Sequence, residues 1–375
     1  MSHSLLEIDD VDKFYGPVDK GVHAVRKLTM SVAAGEIVAL LGSSGCGKTS
    51  TLRMIAGFEE VSRGSISIAG KRVNTLAPVK RNVAMAFEGY SLYPPLTVRD
   101  NIGFALKASK LSAPQISDKV MEIAEMLEIK DILDKHPSSI SGGQQQRASL
   151  GRALIREADL HLLDEPMGQL EPQLRALLRG RIKYYIKSKG LTAILVTHDQ
   201  AEANALSDRI AVMEGGHLVQ FDTPEQLKER PANLFSGTFI GEPPMNIFDA
   251  RMSEAHNTVT FALDDSVSLS FPASDFGRPV IDTALQHTSL VIGIRPYALR
   301  RSAVGMPATV IASQWLGDQT HIAASLAGKA IVLVEHDRAI DKPDDQITIE
   351  INAGDLHLFD RDTGTAISHG AVLAS

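Results

Sequence analysis

Eight consecutive residues, Gly42-Ser43-Ser44-Gly45-Cys46-Gly47-Lys48-Thr49, satisfy the phosphate-binding pattern G-x-x-x-x-G-K-[ST] at every fixed position. Glycines let the backbone curl until its N–H groups converge on phosphate oxygens, and the N-terminus of a following helix reinforces the attraction. In such a loop Lys48 reaches the β- and γ-phosphates, and the Thr49 hydroxyl is a ligand for Mg²⁺. The flanks agree: the apolar run Ile37–Leu41 precedes the loop, and a helix is expected from about Gly47. A glycine-rich turn without a ligand is the alternative, and eight fitting positions with these flanks leave it little room.

Two further elements extend the chemistry. Leu160-His-Leu-Leu ends in Asp164-Glu165. A carboxylate closing a buried strand suits Mg²⁺ coordination at Asp164, and Glu165 is placed to polarise an attacking water as general base. Alone, an acid after a strand is often only a helix cap; beside a phosphate loop it carries more weight. Ser141-Gly142-Gly143-Gln144 follows Ile140, with Ser141 a good N-cap for a helix reading on to Arg156. Such a helix end attracts anions. The chain already has its own phosphate loop, so a second phosphate-seeking element makes sense if it serves the nucleotide of another subunit.

These residues need a scaffold. Ile37–Leu41, Leu160–Leu163, Ala193–Thr197 and Arg209–Met213 are short apolar runs with little alternation, as strands buried on both faces require. Over the first ~235 residues such runs alternate with helical patterns, the mark of a mainly parallel α/β sheet. Ile116, Val120, Ile123 and Leu127 recur at helical spacing after Pro114, within a stretch of about 88–157 that reads as a helical subdomain inserted into the sheet. The texture changes around Pro231–Pro244. Val259/Phe261/Leu263, Val267/Leu269/Phe271 and Ile347/Ile349/Ile351 alternate with period two, predicting a small antiparallel β domain, sandwich or barrel. The expected organisation is an ATPase domain over 1–240 and a β domain over 241–375.

Composition narrows the class. The 375 residues carry 38 Lys+Arg against 45 Asp+Glu, a formal charge of −7, with 44% hydrophobic residues. That excludes disorder and makes a sequence-independent nucleic-acid binder a poor fit. The single cysteine, Cys46, forms no internal disulfide and suits a reducing compartment. No secretory leader and no run of membrane-spanning length is visible.

Taken together, GSSGCGKTS, ISGGQQQRASLGRAL, HLLDEP and VTHDQAEANALSDRIAVM resemble the ATPase subunits of ATP-binding-cassette transporters, in the family's order. GEPPMN, GIRP and LHLFDRDTGTAI are similar to the C-terminal regulatory, OB-like domain of carbohydrate-importer ATPases such as those of the maltose and glycerol-phosphate systems. The resemblance implies that Gly42 to Ser50 bind the phosphates of ATP and that Ser141, Gly142, Gly143 and Gln144 face the nucleotide of a second ATPase subunit. It also implies that His198 contacts the γ-phosphate and steadies Glu165. Tyr15 takes the place of the aromatic on which adenine stacks, with a core tyrosine beside Phe14 as the competing reading. Glu88 to Pro94 occupies the segment that senses nucleotide and docks the membrane permease subunits.

The implied protein is a peripheral ATPase on the cytoplasmic face of the inner membrane, powering uptake of a carbohydrate or polyol delivered by an extracytoplasmic binding protein. A polyamine or metal-ion importer is the alternative. Two positions depart from the family: Glu88 stands where Gln contacts Mg²⁺ and water, and Gly168-Gln-Leu-Glu171 replaces Ser-x-Leu-Asp. Both departures imply a less active site of its own, in a homodimer or in a heterodimer with a more conventional ATPase.

Overall fold

The computed structural model describes residues 4–17 and 20–370. The chain forms one compact unit up to Pro224 and a second from Glu225.

The first unit is built on a six-stranded sheet. Its strands are β3 (Ile37–Gly42), β6 (Val83–Ala86), β7 (Leu160–Asp164), β8 (Ala193–Val196), β9 (Arg209–Glu214) and β10 (His217–Asp222), in the order β10-β9-β3-β8-β7-β6. β6 through β9 and β3 pair in parallel, and only the β9–β10 hairpin is antiparallel. All residues of β3, β7 and β8 are buried, which is why these strands read as unbroken apolar runs. A separate antiparallel sheet precedes and flanks the loop: β1 (Ser4–Tyr15), β2 (Val22–Ala33), β4 (Arg63–Ile68) and β5 (Lys71–Arg72), in the order β2-β1-β4-β5. Sequence reading did not separate it from the parallel sheet. Leu6, Ile8 and Val11 of β1 pack with Val38 and Leu40 of β3 and Leu52 of α1 (Lys48–Ala56) in one apolar core.

Between β6 and β7 the chain is helical, with α2 (Val98–Gly103), α3 (Ala113–Met126) and α4 (Gly142–Leu154). Val120, Ile123 and Leu127 are the buried stripe of α3 and its end. Ser112 caps α3 through a box shared with Gln115, so this helix begins where capping chemistry dictates. Beyond β7 come α5 (Pro172–Ser188) and α6 (Gln200–Leu206).

The second unit opens with all but the first residue of α7 (Pro224–Glu229), followed by α8 (Leu234–Phe239). It continues with β11 (Asn246–Ala255), β12 (Thr258–Ala262), β13 (Ser268–Pro272), α9 (Arg278–Ala284), β14 (Leu290–Ile294), β15 (Arg300–Trp315), β16 (Thr320–Leu326), β17 (Lys329–Glu335), β18 (Gln346–Glu350), β19 (Leu356–Asp360) and β20 (Ala366–Ser368). These form a six-stranded sheet, β13-β12-β11-β14-β19-β20, and a four-stranded sheet, β17-β16-β15-β18, both antiparallel throughout. Phe248, Val259, Phe261, Ile292, Ile322, Leu333 and Ile349 fill the core they share. The segment 225–240, which the proline pattern groups with the first part, belongs by its contacts to this unit. The physical reason is Arg295, buried just past β14, whose guanidinium donates to the carbonyls of Lys228, Gly237 and Ile240.

Candidate functional site

Four loops meet at one edge of the parallel sheet because β3, β6, β7 and β8 all run the same way and end there. After β3 comes the phosphate loop. Its last glycine, Gly47, has φ 103° and is the N-cap of α1. A Cβ there would lie 2.5 Å from the Ala24 carbonyl oxygen, so both the conformation and the space require glycine. Lys48 is buried and folds back onto its own loop, donating to the carbonyls of Gly42 (2.8 Å) and Ser43 (2.9 Å) and lying 3.6 Å from Cys46 Sγ. Tyr15, half-exposed at the end of β1, shares a hydrogen bond of 3.0 Å with the Ser50 hydroxyl. The Lys13 ammonium stands 4.7 Å from the centre of its ring.

After β7 come the two carboxylates. Asp164 is buried, and its Oδ1 has no hydrogen-bond donor. Burial, then the neighbouring charges of Glu88 and Glu165, push its carboxyl up to about 6, against the pull of Arg53 and Lys48. Glu165 has φ 47°, a left-handed conformation that costs a side-chain-bearing residue about 1–3 kcal/mol. The surroundings hold it there. Its N–H donates to Val196 (2.9 Å), and its carbonyl accepts from Gly168 N–H (3.3 Å) and from the Gln146 side-chain amide (2.7 Å). The resulting turn brings the carboxylate 3.0 Å from His198 Nδ1, at the end of β8.

The loops enclose a cleft of about 470 Å³ lined by Ser44, Gly45, Lys48, Thr49, Glu88, Gln146, Glu165, Gly168, Gln169 and His198. Thus the structure gathers the phosphate loop, Glu165, His198 and Glu88 around one opening, with Asp164 one residue behind Glu165. The cleft does not include Ser141, Gly142, Gly143 or Gln144. Ser141 caps α4 instead: its hydroxyl accepts from Gln144 N–H (3.3 Å), and the Gln144 side chain accepts from Ser141 N–H (3.0 Å). This exposed helix end packs on the loop after Glu165, since a Cβ on Gly142 would come 2.7 Å from Gln169 Oε1. Glu171 is the exposed N-cap residue of α5 and makes no side-chain cap.

Three residues that bear on the site escape sequence reading. Gln146 is buried and spans from Glu165 to Gln169. Arg175 of α5 joins the Leu170 carbonyl (3.1 Å) to Asp199 (2.8 Å), the residue after His198. Glu202, buried on α6, accepts from the Thr197 hydroxyl at 2.8 Å. A glutamine on a buried helix face and an arginine reaching into a loop were the available signals. Neither type nor spacing says which loop such a side chain meets.

Residues 25–168 match the ABC transporter family, and residues 292–359 match the TOBE domain. The sn-glycerol-3-phosphate import ATP-binding protein UgpC of Chromobacterium violaceum is 36% identical over 98% of this chain and 97% of its own length. The trehalose import ATP-binding protein SugC of Mycobacterium tuberculosis is 44% identical over 79% of this chain and 73% of its length. The sulfoquinovosyl glycerol transport ATP-binding protein SmoE of Agrobacterium fabrum is 37% identical over 95% and 98%. A dimeric ATP-binding cassette solved in a post-hydrolysis state with ADP and Pi superposes on 58% of this chain with a TM-score of 0.54 at 24% identity. With a phosphate loop, paired carboxylates and a histidine at one sheet edge, and relatives aligned from end to end, the chain belongs to the ATP-binding proteins of ATP-binding-cassette transporters.

Proposed function

We propose that this chain binds and hydrolyses ATP at the sheet-edge cleft to drive import of a carbohydrate or polyol through partner permease subunits. One observation carries the reading: Lys48, Glu165 and His198, remote in sequence, line a single opening. UgpC, SugC and SmoE are named for import or transport of glycerol phosphate, trehalose and sulfoquinovosyl glycerol, which points to polyhydroxylated solutes. Among the described residues no helix is long and apolar enough to cross a membrane. Attachment to the inner membrane's cytoplasmic face is then through the permeases, around Glu88–Pro94.

In this reading Tyr15 stacks on adenine, which needs only an exposed π face. The loop N–H groups of Gly42 to Ser50 hold the phosphates, and Lys48 exchanges the Gly42 and Ser43 carbonyls for phosphate oxygens. Glu165 draws a proton from the attacking water, and His198, hydrogen-bonded to that carboxylate, fixes its direction. The residues fit Mg²⁺: Thr49, Glu88 and Asp164 offer only oxygen donors, and the buried Asp164 Oδ1 has no hydrogen-bond donor among the described residues. The ion, when bound, neutralises phosphate charge. Ser141, Gly142, Gly143 and Gln144 are offered to the nucleotide of a second ATPase subunit.

Glu88 adds a second carboxylate to the opening, beside Glu165 and with Asp164 behind. Its charge, after burial, helps push the Asp164 carboxyl up, so in this reading the site turns over more slowly than one with an amide at that position. Glu171, at the start of α5, is longer than the aspartate it replaces and crowds a loop that faces the second subunit. A self-complementary interface meets this change twice and a different partner chain only once, which favours a heterodimer. Purifying the transporter from its native host and identifying its ATPase chains tests both statements. Two copies of this chain, each hydrolysing ATP at the same rate as a Glu88→Gln variant, would overturn them.

A further inference from the structure

We infer that Gln146 is a positioning residue for hydrolysis: its side-chain amide holds the backbone of Glu165 in the turn that aims the carboxylate into the cleft. The inference rests on Glu165 as the base. Gln146 Nε2 donates to the Glu165 carbonyl at 2.7 Å, and Gln146 Oε1 accepts from Gln169 N–H at 3.0 Å. One amide therefore spans the turn from its first residue to the loop that leaves it.

Four facts give that span its importance. Glu165 sits at φ 47°, a conformation an L-residue leaves unless neighbours hold it. The other bond to its carbonyl, from Gly168 N–H, is longer at 3.3 Å and comes from the same short turn, so it moves with the turn. Gln146 comes from outside, on α4, a helix fixed by the buried Arg147 guanidinium, which donates to the carbonyls of Leu127 and Glu128. Gln146 is itself only 4% exposed, and its amide gives a donor to a carbonyl and an acceptor to an N–H from two separate atoms at once. A buried glutamine satisfied at both ends, one of them on the catalytic residue's own carbonyl, is tied to geometry that the reaction uses. It does not touch the reacting atoms.

Two variants of the full chain separate positioning from simple support. Gln146→Leu removes both bonds. Gln146→Glu keeps an acceptor for Gln169 N–H but sets an oxygen against the Glu165 carbonyl. Each should retain ATP affinity within about twofold, measured by equilibrium dialysis, while kcat falls about 100-fold, the usual result of a catalytic group misplaced by an ångström. KM should hold. Glu165→Gln is the control for the underlying reading. If it hydrolyses ATP at the wild-type rate, the base lies elsewhere and the inference falls with it. If it is inactive while Gln146→Glu keeps wild-type kcat, Gln146 only anchors the Gln169 loop and this inference alone is overturned. Parallel loss of ATP affinity, thermal stability and kcat in both variants would equally overturn it, as the mark of a structural role.

Discussion

The edge of the parallel sheet and the interior of the C-terminal β unit both bury charged side chains, and they do so in opposite ways. At the sheet edge Asp164 and Glu202 are buried with a carboxylate oxygen that no donor meets. Burial pushes Asp164 to about 6 and Glu202 to about 7. In the β unit the two terminal nitrogens of the buried Arg295 spread its charge over three main-chain carbonyls, leaving only Nε without an acceptor, and Asn246 closes both ends of its amide on Val332. A buried polar group satisfied by backbone is a tie between elements. A buried carboxylate oxygen that no donor meets is available to a cation, or its acid stays neutral.

The largest effects should fall on the sheet edge and spare the β unit. Lys48→Ala should weaken ATP binding and abolish turnover, because among the described residues no other lysine or arginine lines the cleft. Glu165→Gln should keep ATP bound while phosphate release slows by about 100- to 10,000-fold. Unchanged affinity and turnover in the lysine variant would dismantle the phosphate-loop assignment. In the β unit the matching test is Arg295→Met, which strips three carbonyls of their donor and should cost about 3–5 kcal/mol. Calorimetry of the full chain should show the second unit melting earlier, with ATP affinity unaltered. A variant that melts like wild type would mean that α7 and α8 are held by other contacts.

pH sharpens the contrast because the two regions respond with opposite sign. Glu202 is raised from 4.5 to about 7. Between those values the folded state keeps its proton while the unfolded chain has lost it, so stability falls as pH rises through that window. Glu202→Gln should therefore stabilise the first unit by about 2–3 kcal/mol at pH 8 and by almost nothing at pH 4. His357 and His369, 3.3 Å apart between their Nδ1 atoms, are held down to about 3 and about 4 by burial first, with Arg295 adding to it. There the unfolded chain takes up protons first, so stability falls as pH drops from 6.5 toward 4. Denaturant titrations across pH 4–8 read both slopes, and equal slopes in the two units would refute the assignment. The smallest effect is expected from cutting the chain after Pro224. Such a fragment should bind ATP within about twofold of the full chain, since a domain with its own core folds alone. A soluble fragment that no longer binds ATP would break the comparison.

Residue types and spacing alone carried much of this protein. A loop that curls around phosphate is a local object. Glycines, a lysine and a threonine at fixed offsets specify it without reference to the rest of the chain, so Gly42 to Thr49 could be read directly. So could the apolar runs of β3, β7, β8 and β9, because strands buried on both faces leave no room for polar alternation, and Ser141, because capping is decided within one turn. His198, Tyr15 and Glu88 were legible only through likeness to a family, since nothing local marks a loop histidine or a strand-end tyrosine.

Tertiary structure decided the rest. Parallel strand direction brings Glu88, Glu165 and His198 to one opening, and direction is a property of chain connections rather than of any strand's composition. The antiparallel sheet of β1, β2, β4 and β5 depends on pairings with several bulges and register shifts, which blur period two. The left-handed backbone of Glu165 is a strain that only surrounding contacts can hold, and the glutamine holding it lies nineteen positions earlier on another element. Arg295 likewise draws residues 228–240 into the second unit by bonds to carbonyls, which every residue presents alike. Side-chain chemistry is written locally, whereas a bond to another segment's backbone exists only once the chain has folded.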